Sequence, residues 1–537
     1  MPNLQYKNLD STVAFRKLRE LQKPEKLKKL LTPARVEKFE VAAGASLRYN
    51  YAAKQVDEPA LDLLQKLADE QQVIEKYQQL YNGKIMNTGE GRMVLHHLVR
   101  GQLGESVIRA GKNLREFYQD QQNRVNKFAA KIHSGEIRGS TGQQFDTVVQ
   151  VGIGGSDLGP RALYLAMQNF QGKDPNDGAR RPKLQTHFIS NVDPDDSAEV
   201  LSRINLESTL FVLVSKSGTT LETLTNEAFV VQSIRRTGIP GLQPKKHIVC
   251  VTGESSPLAK PGEYLEAFYI DDFIGGRYSS SSAVGGAMLT LAFGKEYFTQ
   301  FLDGAHQADR AALQPDIRKN AALLDAMIGV YERNVLGYPY TAVLPYSQAL
   351  SRFPAHLQQL DMESNGKRVN RNGEPVAYST GPVVFGEPGT NGQHSFYQLL
   401  HQGTDVVPLQ FIGFHEPQLG VDVPYEGSNS QQKLNANLAA QIVAFASGSD
   451  NADPNKDFPG DRPSSLIYGK QLTPEKLGAL LAHFENKIMF QGFVWNINSF
   501  DQEGVQLGKV LTKQVLGGGK VDPVLQAFAD RLAVDRK

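Results

Sequence analysis

The chain reads Thr209-Leu210-Phe211-Val212-Leu213-Val214 and continues directly as Ser215-Lys216-Ser217-Gly218-Thr219-Thr220. The first run is typical of a buried β-strand, and a helical pattern follows the second. Backbone N–H groups at a helix N-terminus lack partners and, together with the helix dipole, favour an anion. The hydroxyls add donors without bulk, and Lys216 adds a positive charge. The junction therefore predicts a phosphate-binding loop. The alternative is an ordinary capped strand-to-helix turn, for which one Ser or Thr would suffice.

Length and composition indicate a multidomain globular protein. The chain has 537 residues, and at roughly 150 residues per domain this predicts about two to four domains. The formal net charge is +1 and 21% of the residues are charged, without a clustered excess of Lys and Arg, so a nucleic-acid partner is not expected. Cys250 is the sole cysteine, which predicts neither a disulfide framework nor a thiolate metal cluster.

We expect no targeting or membrane segment. Residues Met1–Gln5 lack the basic stretch and apolar core of a secretory signal. No uninterrupted apolar run approaches the roughly 18 residues that a membrane span requires. With the single cysteine, these features favour a cytoplasmic protein that has no membrane or nucleic-acid partner.

The pattern of the sequence changes after an N-terminal part, residues 1–135, that looks mostly helical. From Gly142 onward, short apolar runs alternate with helical patterns, which predicts a parallel sheet covered by helices on both faces. A polar stretch, Gly172–Pro182, is expected to be a surface loop. The predicted strands are Val148–Val151, His187–Ser190, Leu210–Val214, His247–Thr252 and Tyr264–Ile270.

A second alternating region begins near Asn320. Its clearest strands are Tyr340–Pro345 and Val406–Phe414, and helices are predicted at Pro354–Glu363 and Ser395–Gln402. In the tail, Asp522 followed by Pro523 predicts the start of a helix.

A glycine-rich loop, Gly152 to Gly159, follows the first strand of the predicted sheet. It does not match a dinucleotide fingerprint, because the third glycine of G-x-G-x-x-G falls on Asp157. That carboxylate would also repel a diphosphate. We therefore interpret Gly155 and Ser156 as contacts to a smaller phosphorylated ligand. A tight turn that needs a positive φ is an equally good interpretation.

Two charged residues are candidates for chemistry. Arg277 follows Gly275 and Gly276, so its guanidinium can approach a ligand closely and stabilise negative charge on oxygen. A structural ion pair is the more common role of such an arginine. Glu363 lies four residues after Gln359 on one helix face, in the last turn, where the dipole favours proton uptake by a general base. A solvated surface glutamate is the alternative.

Two further residues are candidates for moving protons. His394 starts a predicted helix, where the positive end of the dipole favours the neutral imidazole that can accept and donate a proton. A capping or core histidine is the alternative. Lys509 comes directly after a glycine that we interpret as a tight turn, Gly508. Its spacing is compatible with a buried functional lysine and with an ordinary surface lysine.

Taken in order along the chain, these segments resemble the glucose-6-phosphate isomerase family. The resemblance runs from about Met86 to Lys509, roughly four fifths of the chain, and its motifs are highly specific. The segments that carry it are Ile274–Ser279, Met362–Lys367, Gly386–His394, Gly492–Trp495 and Phe500–Val505.

The resemblance implies an α/β fold with two αβα sandwich domains of the sugar-isomerase (SIS) type, built on parallel sheets. It implies an N-terminal helical segment at 1–135 and a first SIS-type domain at 136–305 that holds the phosphate loop. The second SIS-type domain, with the catalytic Glu, His and Lys, is expected at 306–515, and a C-terminal helix at 516–537. The resemblance also implies a homodimer, because the histidine of each active site, here His394, comes from the other subunit.

The same resemblance implies the reversible conversion of glucose 6-phosphate and fructose 6-phosphate through ring opening and a cis-enediolate, in glycolysis and gluconeogenesis. Glu363 would move the proton between C1 and C2, His394 and Lys509 would open the sugar ring, and Arg277 would stabilise the enediolate. The residues expected to bind the rest of the substrate are Gly155, Ser156, Ser215, Lys216, Ser217, Thr219 and Thr220 around the phosphate and Gln359 along the sugar.

Such an isomerisation needs a base, a proton relay and an oxyanion stabiliser, but no redox cofactor. A metal-assisted hydride shift would require several clustered His and acidic ligands. The nearest cluster, His96-His97, lacks those partners, so we expect neither a metal nor a cofactor. Two other functions remain open at this point. A non-catalytic sugar-phosphate sensor would need only the hydroxyl-rich loop, and an isomerase of a related phosphosugar would have the same phosphate site.

Three departures from the family pattern stand out. Gln506 replaces the usual glutamate, Ser280–Ser282 stand where bulky residues often follow, and Thr88–Arg92 contains an inserted glycine. None of them touches the proposed base, histidine or lysine. We therefore expect a divergent branch of the family that retains its activity.

Overall fold

The computed structural model describes residues 4–22, 24–170, 182–517 and 521–534. The chain forms two compact units, Met1–Ser499 and Phe500–Lys537. The first unit contains two large sheets built mainly from parallel strands, which confirms the predicted α/β class. The loop expected at Gly172–Pro182 lies outside the described residues except for Pro182, and so do the first three residues of Met1–Gln5.

The strands are β1 (Glu40–Ala42), β2 (Arg48–Asn50), β3 (Ile108–Arg109), β4 (Lys112–Asn113), β5 (Thr147–Val151), β6 (Gln185–Ile189), β7 (Thr209–Ser215), β8 (Ile248–Thr252), β9 (Glu266–Tyr269), β10 (Tyr340–Tyr346), β11 (Val383–Phe385), β12 (Leu409–Phe414), β13 (Pro424–Tyr425), β14 (Ser428–Asn429) and β15 (Ser464–Gly469).

The α-helices are α1 (Val13–Glu20), α2 (Leu27–Leu30), α3 (Pro33–Lys38), α4 (Glu58–Glu70), α5 (Val73–Tyr81), α6 (His96–Arg100), α7 (Leu114–Ser134), α8 (Leu158–Met167), α9 (Pro194–Arg203), α10 (Leu221–Arg236), α11 (Ala283–Phe293), α12 (Lys295–Ala311), α13 (Ala321–Asn334), α14 (Phe353–Gln358), α15 (Tyr397–Gln402), α16 (Ser430–Ser447), α17 (Pro474–Val494), α18 (Gln506–Leu516) and α19 (Pro523–Arg531).

The first sheet has the order β6-β5-β7-β8-β9, and all of its strands are parallel. Successive side chains of a strand point to opposite faces. Leu210 and Val212 of β7 therefore pack in the core formed with α7 and α11, whereas Phe211 and Leu213 pack in the core formed with α9 and α10. Both faces are buried, which explains why the strand is an uninterrupted apolar run.

The second sheet has the order β1-β2-β15-β12-β10-β11, in which β15, β12, β10 and β11 are parallel. Leu438 and Phe445 of α16 pack on one face of this sheet, in a core shared with Phe411 of β12. The opposite face is partly polar. There Gln410 donates to Asp325 of α13 and accepts from Lys487 of α17.

The expectation of a mostly helical N-terminal part missed the β1–β2 hairpin. It pairs antiparallel and adds to the second sheet through β15. Each of the two strands is three residues long, which is too short for an alternating pattern to stand out. The pairing of β2 with β15 joins residues more than four hundred positions apart, so it depends on the tertiary structure and is not visible in a local pattern.

The other predicted elements form with small shifts at their ends. All the strands predicted after Gly142 are present, and Asp522 caps α19 by accepting from the N–H groups of Val524 and Leu525. The helix predicted at Pro354–Glu363 is α14 continued by a π-helical turn, Gln359–Glu363. The ranges of the four expected domains stay predictions. Within the described ranges, no helix combines the length and apolarity that crossing a membrane would require.

Candidate active site

Two loops leave neighbouring strands at the carboxyl edge of the first sheet. A 3₁₀ turn, Gly154–Ser156, follows β5, and Ser215–Thr220 connect β7 to α10. The chain leaves β5 for β6 on one side and returns to β7 on the other. In open α/β sheets, ligands bind in the crevice at this reversal of strand order. The fold therefore places both predicted phosphate-binding segments at the expected position for a ligand.

The Ser215–Thr220 loop is organised by its own hydroxyls. Ser215 Oγ is buried, donates to Thr220 Oγ1 over 3.0 Å and accepts from the Gly218 N–H over 3.1 Å. Ser217 and Thr219 remain exposed. Thr220 occupies the N-cap position of α10, but its side chain makes no capping hydrogen bond. This last observation favours the anion-binding interpretation over the ordinary capped turn, because Thr220 leaves the first N–H groups of α10 uncapped.

Lys216 joins this loop to the segment that contains Arg277. Its Nζ donates to the carbonyl of Ile274 over 3.2 Å and lies 3.9 Å from Asp272 Oδ1. Burial lowers the pKa of Lys216, and the nearby Asp272 carboxylate opposes that shift. The amino group of Lys216 therefore lies partly buried beside the hydroxyl-rich Ser215–Thr220 loop.

The glycines of the first loop allow two segments to approach closely. A Cβ at Gly155 would overlap the backbone of Gly276, so a larger residue cannot replace Gly155 without movement of the main chain. Gly154 has a φ of +61°, and a Cβ there would lie 3.4 Å from Nε2 of Gln359. The loop therefore has the positive φ that the tight-turn interpretation requires, and it approaches both Gly276 and Gln359. Asp157, the residue that argued against a diphosphate, forms an ion pair with Arg161 at 2.8 Å.

Arg277 lies at the centre of the charged contacts. Only 1% of it is exposed. Its Nε donates to Ser364 Oγ over 2.7 Å, its Nη2 donates to the Ser499 carbonyl over 2.7 Å, and its Nη1 lies 3.5 Å from Glu363 Oε2. The structure therefore brings together Arg277 and Glu363, two of the predicted catalytic residues.

Glu363 ends the π-helical turn that follows α14. Turns of this kind are rare and occur frequently at functional sites. The Glu363 side chain is 21% exposed, so a ligand can reach it. On the same turn, Gln359 has a buried Oε1 without a hydrogen-bond partner among the described residues. Because a buried acceptor of this kind is costly to leave unpaired, it is suited to a donor on a ligand.

His394 and Lys509 are both exposed in the single chain. His394 ends a 3₁₀ turn, Asn391–His394, just before α15. Its neighbour Gln393 accepts from Asn437 Nδ2 over 2.9 Å, which anchors the turn to α16. Lys509 lies within α18 of the second unit, and so does Gly508. The tight turn expected at Gly508 is therefore wrong, because the residue is part of a continuous helix.

The sequence did not assign a role to Ser364 or Tyr278. Ser364 is fully buried. Its hydroxyl oxygen accepts a hydrogen bond from Arg277 and lies 3.0 Å from the Tyr278 hydroxyl. Only their position in the sequence could have indicated a role, since each residue directly follows a predicted catalytic residue.

Among the described residues, no three His, Cys, Asp or Glu side chains are grouped so that they could hold a metal ion.

The serines at 280–282, which we expect to depart from the family pattern, are buried and closely packed. A Cβ at Gly159 of α8 would overlap Ser280 Oγ, and Ser281 Oγ accepts from Arg100 Nε over 3.1 Å. The inserted turn at Thr88–Arg92 ends in Arg92, which lies 3.6 Å from Asp272. In this chain the small serines fit a close approach between α8 and the segment that carries Arg277.

Comparison with known proteins identifies the family. A model of the family described as phosphoglucose isomerase matches residues 50–528. A glucose-6-phosphate isomerase of Treponema denticola is 58% identical over 537 residues, which cover 98% of this chain and 100% of that protein. One from Treponema pallidum is 60% identical over 534 residues, with 98% of each chain covered.

A solved structure gives the same result. The crystal structure of a glucose-6-phosphate isomerase from Chlamydia trachomatis has a TM-score of 0.91 and 43% sequence identity, and covers 98% of this chain and 100% of its own. Sequence and fold thus agree over almost the whole length. The chain belongs to the phosphoglucose isomerase family.

Proposed function

We propose that this protein interconverts glucose 6-phosphate and fructose 6-phosphate, as an isomerase of glycolysis and gluconeogenesis. Family membership supports the reaction. The observation that carries the mechanism is the 3.5 Å approach of Arg277 Nη1 to Glu363 Oε2. A carboxylate that can take a proton and a guanidinium that can hold an oxyanion meet at one place, and these are two of the groups that an enediolate mechanism requires.

Glu363 acts as the base in this proposal. Its carboxylate removes the proton from C2 of the open-chain aldose, and the electron pair of that bond forms the C1–C2 double bond while negative charge develops on O1. Arg277 stabilises that charge. The proton then returns to C1, O1 gains a proton and the hydroxyl on C2 loses one, which gives the ketose. The net change is an isomerisation without oxidation or reduction.

The phosphate is proposed to lie on the two loops at the carboxyl edge of the first sheet. Gly155 and Ser156 offer one side of the crevice. Lys216 and the hydroxyls of Ser215, Ser217, Thr219 and Thr220 offer the other. The uncapped start of α10 supports this placement, because free N–H groups and the helix dipole both favour an anion. Gln359 is proposed to bind a sugar hydroxyl through its unpaired Oε1.

Ring opening is assigned to His394 and Lys509. We propose that His394 acts in the active site of a second copy of this chain, so that the working form is a homodimer. The exposure of His394 at the end of an anchored turn supports this role. Because the substrate is a phosphorylated intermediate of sugar metabolism, the cytoplasm is the proposed location.

The test is the conversion of fructose 6-phosphate to glucose 6-phosphate by the purified full-length protein in excess EDTA. Turnover that survives EDTA supports the metal-free isomerase. Absence of turnover while fructose 6-phosphate still binds would contradict the proposal and favour a sugar-phosphate sensor. Faster turnover of another phosphosugar, such as mannose 6-phosphate, would instead assign the chain to a related substrate.

A further inference from the structure

Ser364 connects the proposed base to the proposed oxyanion stabiliser. It is the residue after Glu363 and is fully buried. Its Oγ accepts from Arg277 Nε over 2.7 Å and lies 3.0 Å from the hydroxyl of Tyr278. The serine therefore contacts Arg277 from the same turn of chain that carries Glu363.

Two of the contacts of Arg277 hold different parts of its guanidinium. Ser364 accepts from Nε, and the Ser499 carbonyl accepts from Nη2. A guanidinium is planar, so acceptors at different nitrogens together restrain the orientation of the plane, and the loss of one of them weakens that restraint. With this orientation Nη1 points to the side of Glu363.

The Ser364 hydroxyl is itself held in place. A serine oxygen can accept two hydrogen bonds and donate one. Arg277 uses one acceptor site, and Tyr278 lies within hydrogen-bond distance as the second neighbour. The ring of Tyr278 stacks on the buried ring of His96 with a centroid distance of 4.7 Å. Packing therefore limits the movement of the hydroxyl that receives the Arg277 N–H.

We propose that Ser364 is a positioning residue for proton transfer, which acts by fixing the Arg277 guanidinium against Glu363. The proposal rests on the proposed isomerase function. Ser364 itself does not touch the reacting atoms in this scheme. Its loss leaves Arg277 charged and still bonded to Ser499, but removes the acceptor at Nε, so that the guanidinium is held less firmly at the position where the oxyanion forms. A misplaced oxyanion donor lowers the rate of the chemical step and leaves ground-state binding nearly unchanged.

Ser364→Ala in the full-length protein tests this role. We expect kcat to fall by about 10- to 100-fold, the range typical of one lost hydrogen bond to a charged group, with KM within about threefold of wild type. Affinity for 5-phosphoarabinonate, whose planar carboxylate mimics the enediolate, should fall in parallel with kcat. Affinity for sorbitol 6-phosphate, which has the phosphate but no planar oxyanion, should stay the same. If Ser364 had a purely structural role, its loss would not change kcat relative to KM, nor the affinity for 5-phosphoarabinonate relative to that for sorbitol 6-phosphate.

The matched control is Ser197→Ala. Ser197 is equally buried and donates to Asn226 Oδ1 over 3.3 Å, away from the contacts of Arg277. Its replacement removes a buried hydroxyl bond and is expected to leave kcat and both affinities unchanged. Ser364→Cys keeps most of the side-chain volume and a weaker hydrogen-bond acceptor, so it should retain more activity than Ser364→Ala. If the alanine variant folds poorly, the cysteine variant is compared with wild type instead.

A double-mutant cycle decides whether Ser364 acts through Arg277. In an Arg277→Lys background, Ser364→Ala should cost less than threefold in kcat, because the group it orients has gone. A full additive loss in that background would overturn the proposal, and so would wild-type kcat in Ser364→Ala. If wild-type protein itself shows no isomerase turnover, the proposed function fails. If wild type is active and Ser364→Ala equals it, only the positioning role fails.

Discussion

Arg277 Nη1 and Glu363 Oε2 are 3.5 Å apart, although the two residues follow different sheets of the fold. The guanidinium is almost completely buried, whereas the carboxylate is 21% exposed. Water therefore screens the arginine poorly, and a ligand can still reach the glutamate. A buried fixed charge beside an accessible carboxylate, the proposed base, is the arrangement that lets a protein stabilise negative charge as it develops.

Glu363→Gln should remove the base with little change in shape. The amide cannot accept the carbon-bound proton, so kcat should fall by at least about 10²- to 10⁴-fold, while fructose 6-phosphate binding measured by calorimetry is largely kept. Steady-state assays in both directions give the rate. A variant that turns over at the wild-type rate would remove Glu363 from the mechanism.

Mixing two inactive variants tests whether His394 acts across a dimer. Glu363→Gln and His394→Ala chains, after subunit exchange, should form mixed dimers in which one site has both an intact Glu363 and an intact His394. Equal mixing should restore about a quarter of wild-type activity, because half of the dimers are mixed and each has one complete site. Exchange is verified by native mass spectrometry with one chain isotopically labelled. No recovery after verified exchange would argue for a site within one chain.

Lys216 should make substrate affinity sensitive to alkaline pH. Burial lowers its pKa below the ordinary value, so the charged form is present at lower pH and is lost as pH rises through the lowered pKa. The substrate phosphate is already a dianion there, so KM for fructose 6-phosphate should increase on the alkaline side. Lys216→Arg stays charged over this range, and its KM should not show that rise. The same alkaline increase in both proteins would exclude Lys216 as its source.

Gly155→Ala should disturb the crevice through its backbone. A Cβ there overlaps the main chain of Gly276, so the turn and the segment that carries Arg277 must separate. We expect a lower Tm and a fall in kcat/KM of at least about tenfold. Gly275→Ala is the steric control, since its Cβ would meet only Tyr278 Cδ2 at an ordinary 3.6 Å. Equal Tm values for the two variants would contradict the steric argument.

Asp361 should make stability depend on pH. Burial raises its pKa to about 6, although Lys487 and Asn365 oppose the shift, and its Oδ1 has no hydrogen-bond partner among the described residues. A raised pKa means that the folded state binds this proton more tightly, so the contribution to stability is full below pH 4 and is lost as pH rises through 6. The loss is on the order of 3 kcal/mol.

Asp361→Asn removes that titration. Relative to wild type, the free energy of unfolding of the variant should therefore increase between pH 4 and pH 8. Urea denaturation at several pH values measures the difference. A constant difference between the two proteins at every pH would show that Asp361 is not the source.

Much of the fold was predictable because it depends on short-range chemistry. The apolar run at Thr209–Val214 had to be a strand buried on both faces, and the Asp522-Pro523 pair had to start a helix. The hydroxyl-rich loop at 215–220 was predictable as well, because it comes directly after this strand and before a helical pattern. The β1–β2 hairpin was missed, since its two strands are too short to show a pattern and join the sheet through distant β15.

The candidate site also has features that the sequence indicated and features that only the structure revealed. Residue types and spacing left an ordinary structural alternative for each of Glu363, Arg277, His394 and Lys509. The resemblance to the glucose-6-phosphate isomerase family, carried by the order of the motifs along the chain, selected them together, and their roles stay proposals. The π-helical turn at Gln359–Glu363 and the helical setting of Gly508 were not visible, since an α-helical repeat and a glycine are compatible with several local conformations.

The sequence alone determined which hydroxyl, amino, guanidinium, imidazole and carboxylate groups this protein has for the proposed phosphate binding and proton transfer. Only the tertiary structure decided which of them meet. The hydrogen bond from Arg277 to Ser364 and the approaches of Gly155 to Gly276 and of Gly154 to Gln359 each join segments far apart in sequence. Such contacts depend on how sheets and helices pack at fixed distances, and that packing is set by the whole core rather than by any local stretch of residues.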